Sequence, residues 1–178
     1  MRYILASCKK KINIVQYNKI DGDKMREIPY GQINFETIIK ENAIYKDKTQ
    51  YIEKLESRID LKNIFYLRPG RFGKSLFTSM LQYYYGIEHK EKFEELFGNL
   101  YIGKNPTENK NRYYILKFDF SGMDVEQDAD INLMREIFNR KVINGVQEFS
   151  NKYKIKVNCK NTITPAETLG NLFIKFVA

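Results

Sequence analysis

Residues 63–75, Asn-Ile-Phe-Tyr-Leu-Arg-Pro-Gly-Arg-Phe-Gly-Lys-Ser, limit what this chain can fold into more than any other stretch. The apolar run 64–67 reads as a short buried strand. A tight turn with Pro69 and Gly70 follows. Gly73-Lys74-Ser75 comes next, and a helical pattern begins at once with Leu76, Phe77, Met80, Leu81 and Tyr84. Strand, glycine turn, Gly-Lys-Ser and helix is the layout of a Walker A-like phosphate-binding loop. Backbone N–H groups of the turn and the helix N-terminus face an anion, and the helix dipole adds partial positive charge. In that layout Lys74 reaches the β- and γ-phosphates and Ser75 offers its hydroxyl to Mg²⁺. The full pattern, G-x-x-x-x-G-K-[ST], has glycine where this chain has Arg68. Gly70, two residues on, is expected to supply part of the missing backbone freedom. The plain alternative is a strand–turn–helix unit whose glycines only make the turn.

At 178 residues the chain fits one domain with a sizeable core. Hydrophobic residues make up 43%, which excludes a disordered composition. No apolar stretch approaches a membrane span, and Tyr3-Ile4-Leu5-Ala6 ahead of Lys9-Lys10-Lys11 is too short and wrongly flanked for a signal peptide. Cys8 and Cys159 show no metal or redox spacing and read as reduced thiols of a cytoplasmic protein. The single histidine, His89, is expected at the surface. The net charge of +8 admits nucleic acid as a partner. An AT-rich genome, which inflates Lys, Asn, Ile and Tyr, accounts for the same composition.

Residues 1–26 show no clean periodicity and read as an N-terminal extension; 27–178 carry the domain. Ile28-Pro29-Tyr30-Gly31 is a turn, and Asn34 caps a short helix. Asp47 and Gln50 have the spacing of a capping box ahead of Tyr51, Ile52, Leu55 and Ile59. The run Tyr83-Tyr84-Tyr85 belongs to the core or covers a sheet. Residues 92–97 form a short helix. Residues 113–120 read as a second strand, with Asp119 near its end. A Mg²⁺-holding aspartate occupies such a place in some P-loop proteins. The acidic pair of an ATPase strand is absent here, so Asp119 is expected to cap the strand end instead. Asp128 or Asp130 starts a helix whose face carries Met134, Ile137, Phe138, Val142, Val146 and Phe149. Thr164-Pro165-Ala166-Glu167 is a helix start with a threonine cap, proline first and glutamate third.

These segments together resemble the AAA-ATPase-like proteins of many gut and anaerobic bacteria. The resemblance rests on Pro29-Tyr30-Gly31-Gln32-Ile33-Asn34-Phe35, Tyr45-Lys46-Asp47-Lys48-Thr49 and Arg68-Pro69-Gly70-Arg71-Phe72-Gly73-Lys74-Ser75. The stretches 93–102 and 116–121 are similar to the family's pattern as well, so it covers about 28–178. The family itself carries arginine at the position of Arg68 and usually arginine at that of Gly70. The resemblance implies an α/β P-loop fold, a parallel sheet flanked by helices. It implies a site for ATP and Mg²⁺ built from Arg68, Gly70, Arg71, Phe72, Gly73, Lys74 and Ser75, with Ser75 on the metal. Such proteins continue into an apolar strand ending Ile-Asp-Glu-Tyr-Asp, the Walker B segment, and many add a PD-(D/E)xK nuclease-like domain. Neither occurs in these 178 residues. The expected sheet is therefore incomplete at its C-terminal end, its open edges favouring self-association or a partner segment that supplies strands. Hydrolysis is doubtful on this reading. A nucleic-acid-associated or defence-related binding module, and a non-functional gene remnant, remain as rival readings.

Overall fold

The computed structural model describes residues 27–58, 64–67, 69–121, 130–157 and 164–177. The extension 1–26, both cysteines, Arg68, Ile59 and Asp128 lie outside them. The elements are α1 (Phe35–Lys40), α2 (Gln50–Glu56), α3 (Lys74–Tyr85), a 3₁₀ helix (Ile87–Lys92), α4 (Phe93–Phe97), α5 (Tyr101–Lys104), α6 (Ile131–Tyr153) and α7 (Pro165–Val177).

The described residues are mainly helical and contain no β-strand, which corrects the expectation of a parallel P-loop sheet. A strand exists through the ladder it shares with a neighbour, and neither apolar run has one. In 64–67, Phe65 and Leu67 stand 86% and 87% exposed, so the run is not the buried strand its composition implies. Tyr66 ties it to α3, stacked on Phe77 at 4.8 Å. In 113–120, pairing stops after one parallel bridge between Gly86 and Tyr113. There the Tyr113 N–H donates to the Tyr85 carbonyl and the Ile87 N–H to that of Tyr113, both at 3.0 Å. Beyond it Leu116 and Phe118 pack against a helical core rather than a strand.

The chain divides into two compact units. In the first, 27–84 with 91–108, an aromatic cluster sits at the centre. Phe35 stacks on Phe97 at 5.0 Å, and Phe97 meets Phe93 and Tyr84 at 5.3 and 5.6 Å. Ile38, Ile52, Met80, Leu96 and Ile102 are buried with it. Tyr83 and Tyr84 are core residues of α3, as their apolar run implied. Asn34 caps α1 by accepting from the Thr37 N–H, and the buried Ser79 hydroxyl accepts from the Phe35 N–H. Glu36 binds Lys40, Lys92 and Tyr83 at 2.8, 2.7 and 2.9 Å. Bonds to Lys40 and Lys92 hold its carboxyl down from 4.5 to about 2.

In the second unit, 85–90 with 109–177, α6 and α7 pack on Leu116 and Phe118 around Val146, Phe149 and Leu172. Gly145 permits this: a Cβ there would lie 2.6 Å from the Phe118 ring. The face expected on α6 is buried only in its second half, at Val142, Val146 and Phe149; Met134 and Phe138 are about two-fifths exposed, 41% and 42%. Asp130 caps α6. The Thr164 box ahead of α7 forms as its sequence dictates: the Glu167 N–H donates to the Thr164 hydroxyl and the Thr164 N–H to the Glu167 carboxylate. His89 is not a surface residue. Its side chain is 14% exposed and pairs with Glu88, which also binds Lys152 and accepts from the Tyr153 hydroxyl. Burial pushes the Glu88 carboxyl up, but Lys152 and Tyr153 outweigh it and leave the group below its ordinary range.

Candidate functional site

The loop 69–75 belongs to the first unit, and its shape comes from two left-handed residues. Arg71 has φ +61° and Gly73 +75°. Glycine takes that conformation without penalty, whereas arginine pays roughly 1–2 kcal/mol for it. Residues in such turns curl successive N–H groups toward one side, the geometry of an anion nest. The backbone freedom expected from Gly70 is thus used at Arg71 and Gly73; Gly70 does not have a positive φ. The Gly73 carbonyl accepts from the Phe77 N–H at 2.9 Å and opens α3. The N–H groups of the first turn are left pointing out of the helix end. Aromatic contacts hold that helix end in place, since buried Phe77 meets both Tyr66 and Tyr51.

The remaining side chains of the loop are placed as follows. Lys74 and Ser75 are the first two residues of α3, and both are exposed. The Lys74 ammonium turns back over the loop and donates to the Pro69 carbonyl at 2.9 Å. Phe72 is 57% exposed at the tip. The Arg71 guanidinium donates to the Tyr30 hydroxyl at 2.9 Å. Tyr30 is presented by the turn read from Pro29 and Gly31. The Gln32 N–H reaches the Pro29 carbonyl, and Gly31 supplies the positive φ at the third position. Arg68 lies outside the described residues, so the structure assembles Gly70 through Ser75 but does not place the seventh expected residue.

Two neighbours of the loop carry no signal in the Gly-Lys-Ser pattern. One is Tyr30. The other is Lys48: a Cβ added to Gly73 would lie 3.3 Å from the Lys48 Nζ. The motif Tyr45-Lys46-Asp47-Lys48-Thr49 explains how that ammonium comes to be there. Asp47 accepts from the Thr49 N–H at 2.8 Å and the Thr49 hydroxyl at 2.7 Å, and its second oxygen accepts from the Tyr101 N–H at 2.8 Å. The fully buried Thr49 hydroxyl accepts from the Ile102 N–H at 3.1 Å. The expected box with Gln50 does not form: the N-cap of α2 is Thr49, without a side-chain cap bond, and Asp47 binds Thr49 and the start of α5 instead. The two residues on either side of Lys48 are fixed inward, and Lys48 between them reaches the loop.

The donor set suits a phosphate group. It combines a left-handed backbone that glycine takes without penalty at Gly73, an ammonium that donates to the Pro69 carbonyl, and a hydroxyl in the first helical turn. Ser75 places one exposed hydroxyl in the first turn of α3. The described residues contain no cluster of three His, Cys, Asp or Glu side chains able to hold a metal by themselves. Asp119 lies in the second unit and accepts from the Ser121 N–H at 2.9 Å, in a local turn rather than at the strand end expected of it, since 113–120 forms no strand. The bonds from Ser121 hold its carboxyl below the ordinary range. A cavity of about 340 Å³ lies elsewhere in the first unit, lined by Ile38, Ala43, Tyr45, Leu96 and their neighbours. It has no wall in common with the loop. Among the described residues no helix is long and apolar enough to cross a membrane.

A family model described as a predicted AAA-ATPase matches residues 29–177. No curated protein and no solved structure matches the chain.

Proposed function

The chain belongs to the AAA-ATPase-like family of predicted AAA-ATPases, and from that premise we propose that the loop Gly70, Arg71, Phe72, Gly73, Lys74 and Ser75 binds the phosphates of a nucleotide, ATP with Mg²⁺. Membership agrees with nucleotide and metal use at the level of the family. The finer assignment rests above all on the left-handed Gly73 immediately ahead of Lys74 and α3. That conformation sets N–H groups, helix dipole and ammonium around one point. Lys74 exchanges the Pro69 carbonyl for a phosphate oxygen, a charge-assisted bond in place of a bond to a neutral acceptor. Ser75 contributes its hydroxyl to Mg²⁺, which when bound neutralises phosphate charge. Arg71, tethered to Tyr30, adds a guanidinium at the loop's edge, and Arg68 completes the set by its place in the motif.

The proposed activity is binding rather than turnover. Hydrolysis needs a positioned water and a group to activate it, and Asp119 is occupied in its own turn with Ser121. Titration calorimetry with ATP and Mg²⁺ tests the proposal. Lys74→Ala is expected to weaken binding by about 1.5 kcal/mol or more, at least roughly tenfold. Equal affinity of the wild type and Lys74→Ala removes the phosphate-loop reading.

A further inference from the structure

We propose that Lys48 is a second phosphate-binding cation, delivered to the loop by the Asp47–Thr49 clamp. The inference rests on the nucleotide reading of the loop and adds a residue that the Gly-Lys-Ser pattern does not contain. Its ammonium lies where a Cβ of Gly73 would almost touch it. Among the described residues no carboxylate lies within ion-pair distance of it. The nearest acid in sequence, Asp47, spends both oxygens on Thr49 and Tyr101. Lys48 is half-buried, so its stem is held while its charge faces the loop. A lysine that served only to pack would be satisfied by an acid or turned to water. This one is flanked by Asp47, bonded to Thr49 and Tyr101, and by Thr49, whose hydroxyl makes a buried bond to the Ile102 N–H, and it stands beside the loop that also carries the Lys74 ammonium. Two ammonium groups of like charge gathered at one loop repel each other until a polyanion lies between them, which is the condition the proposal assigns to the nucleotide-bound loop.

The partner chemistry is a nucleoside polyphosphate, and the contribution of Lys48 scales with phosphate charge, not with the base. ATP, ADP and inorganic tripolyphosphate serve as probes, with wild type, Lys48→Met, Lys48→Arg and Lys74→Ala compared in the full chain. Lys48→Met is expected to lose about tenfold in affinity for ATP and for tripolyphosphate. Lys48→Arg, which keeps the charge, should recover most of that loss. A purely structural lysine would not separate the two substitutions in this way. Lysine acylation read by mass spectrometry supplies a second measurement on the unaltered protein, independent of how any variant folds. ATP should shield Lys48 and Lys74, while the exposed neighbour Lys46 stays reactive. If Lys74→Ala loses binding but Lys48→Met stays within about twofold and Lys48 labels equally with and without ATP, the role of Lys48 is overturned and the loop reading stands. If neither substitution changes binding, both fall together.

Discussion

At the residue scale the site turns on conformation before charge. Gly73 stands at φ +75°, with the Lys48 ammonium 3.3 Å from where a side chain would begin. Gly70 has open space around it and no left-handed angle. The two glycines should therefore part company under the same substitution. Gly73→Ala is expected to cost about 1 kcal/mol or more, to lower the melting temperature by roughly 2–4 °C and to weaken nucleotide binding. Gly70→Ala should be neutral or stabilising by up to about 1 kcal/mol, since it only removes freedom from the unfolded chain. Thermal melts of the two variants check this, and equal effects contradict it. Arg71 shows the opposite arrangement, an arginine held at φ +61° where glycine would be easier. Its bond to Tyr30 gives one reason for tolerating that strain, and its guanidinium beside the loop gives another. The spacing that singles out Gly73, Lys74 and Ser75 is local and can be read without the fold. Lys48 and Tyr30 were present in the family-like segments but without a role, because only folding brings them to the loop.

At the scale of elements, helices whose ends are chemically marked were legible and strands were not. Thr164, Pro165 and Glu167 set the start of α7, and Asn34 that of α1, through bonds that span three residues. The runs 64–67 and 113–120 have strand-like composition, but a ladder depends on a partner elsewhere in the chain, and local apolarity does not specify one. The same limit applies to Glu36, whose importance is invisible in sequence. Folding brings together Lys40 from α1 itself, Tyr83 from α3 and Lys92 from the residue before α4. Its carboxyl stands at about 2 in the folded chain against an ordinary 4.5, so the stability it adds is fully present above 4.5 and is lost as pH falls from there through about 2. Water reaches both lysines, which cuts the worth of the cluster to about 1 kcal/mol. Glu36→Gln should be less stable than wild type by about that much at neutral pH. The gap should narrow below pH 4.5. Denaturation curves across that range check it, and a gap independent of pH contradicts it.

At the scale of the molecule, family and fold separate. The combined segments identify an AAA-ATPase-like chain across 29–177, yet the described residues make two helical units and no sheet. Each unit builds its own core, from aromatics in the first and from α6, α7 and the 113–120 segment in the second. The loop takes its shape within the first unit, from its own left-handed residues, the contacts of Phe77 with Tyr51 and Tyr66 and the Arg71–Tyr30 bond. The phosphate binding proposed for it therefore does not require a strand ahead of it. That is the central claim, and amide NMR of the ¹⁵N-labelled chain titrated with ATP and Mg²⁺ tests it most directly. The account predicts that the largest shifts fall on the N–H groups of Gly70 through Ser75. The amides lining the cavity at Ile38, Ala43 and Leu96 should stay in place. Shifts that gather at that cavity or in the second unit, with the loop amides unmoved at saturating nucleotide, contradict it.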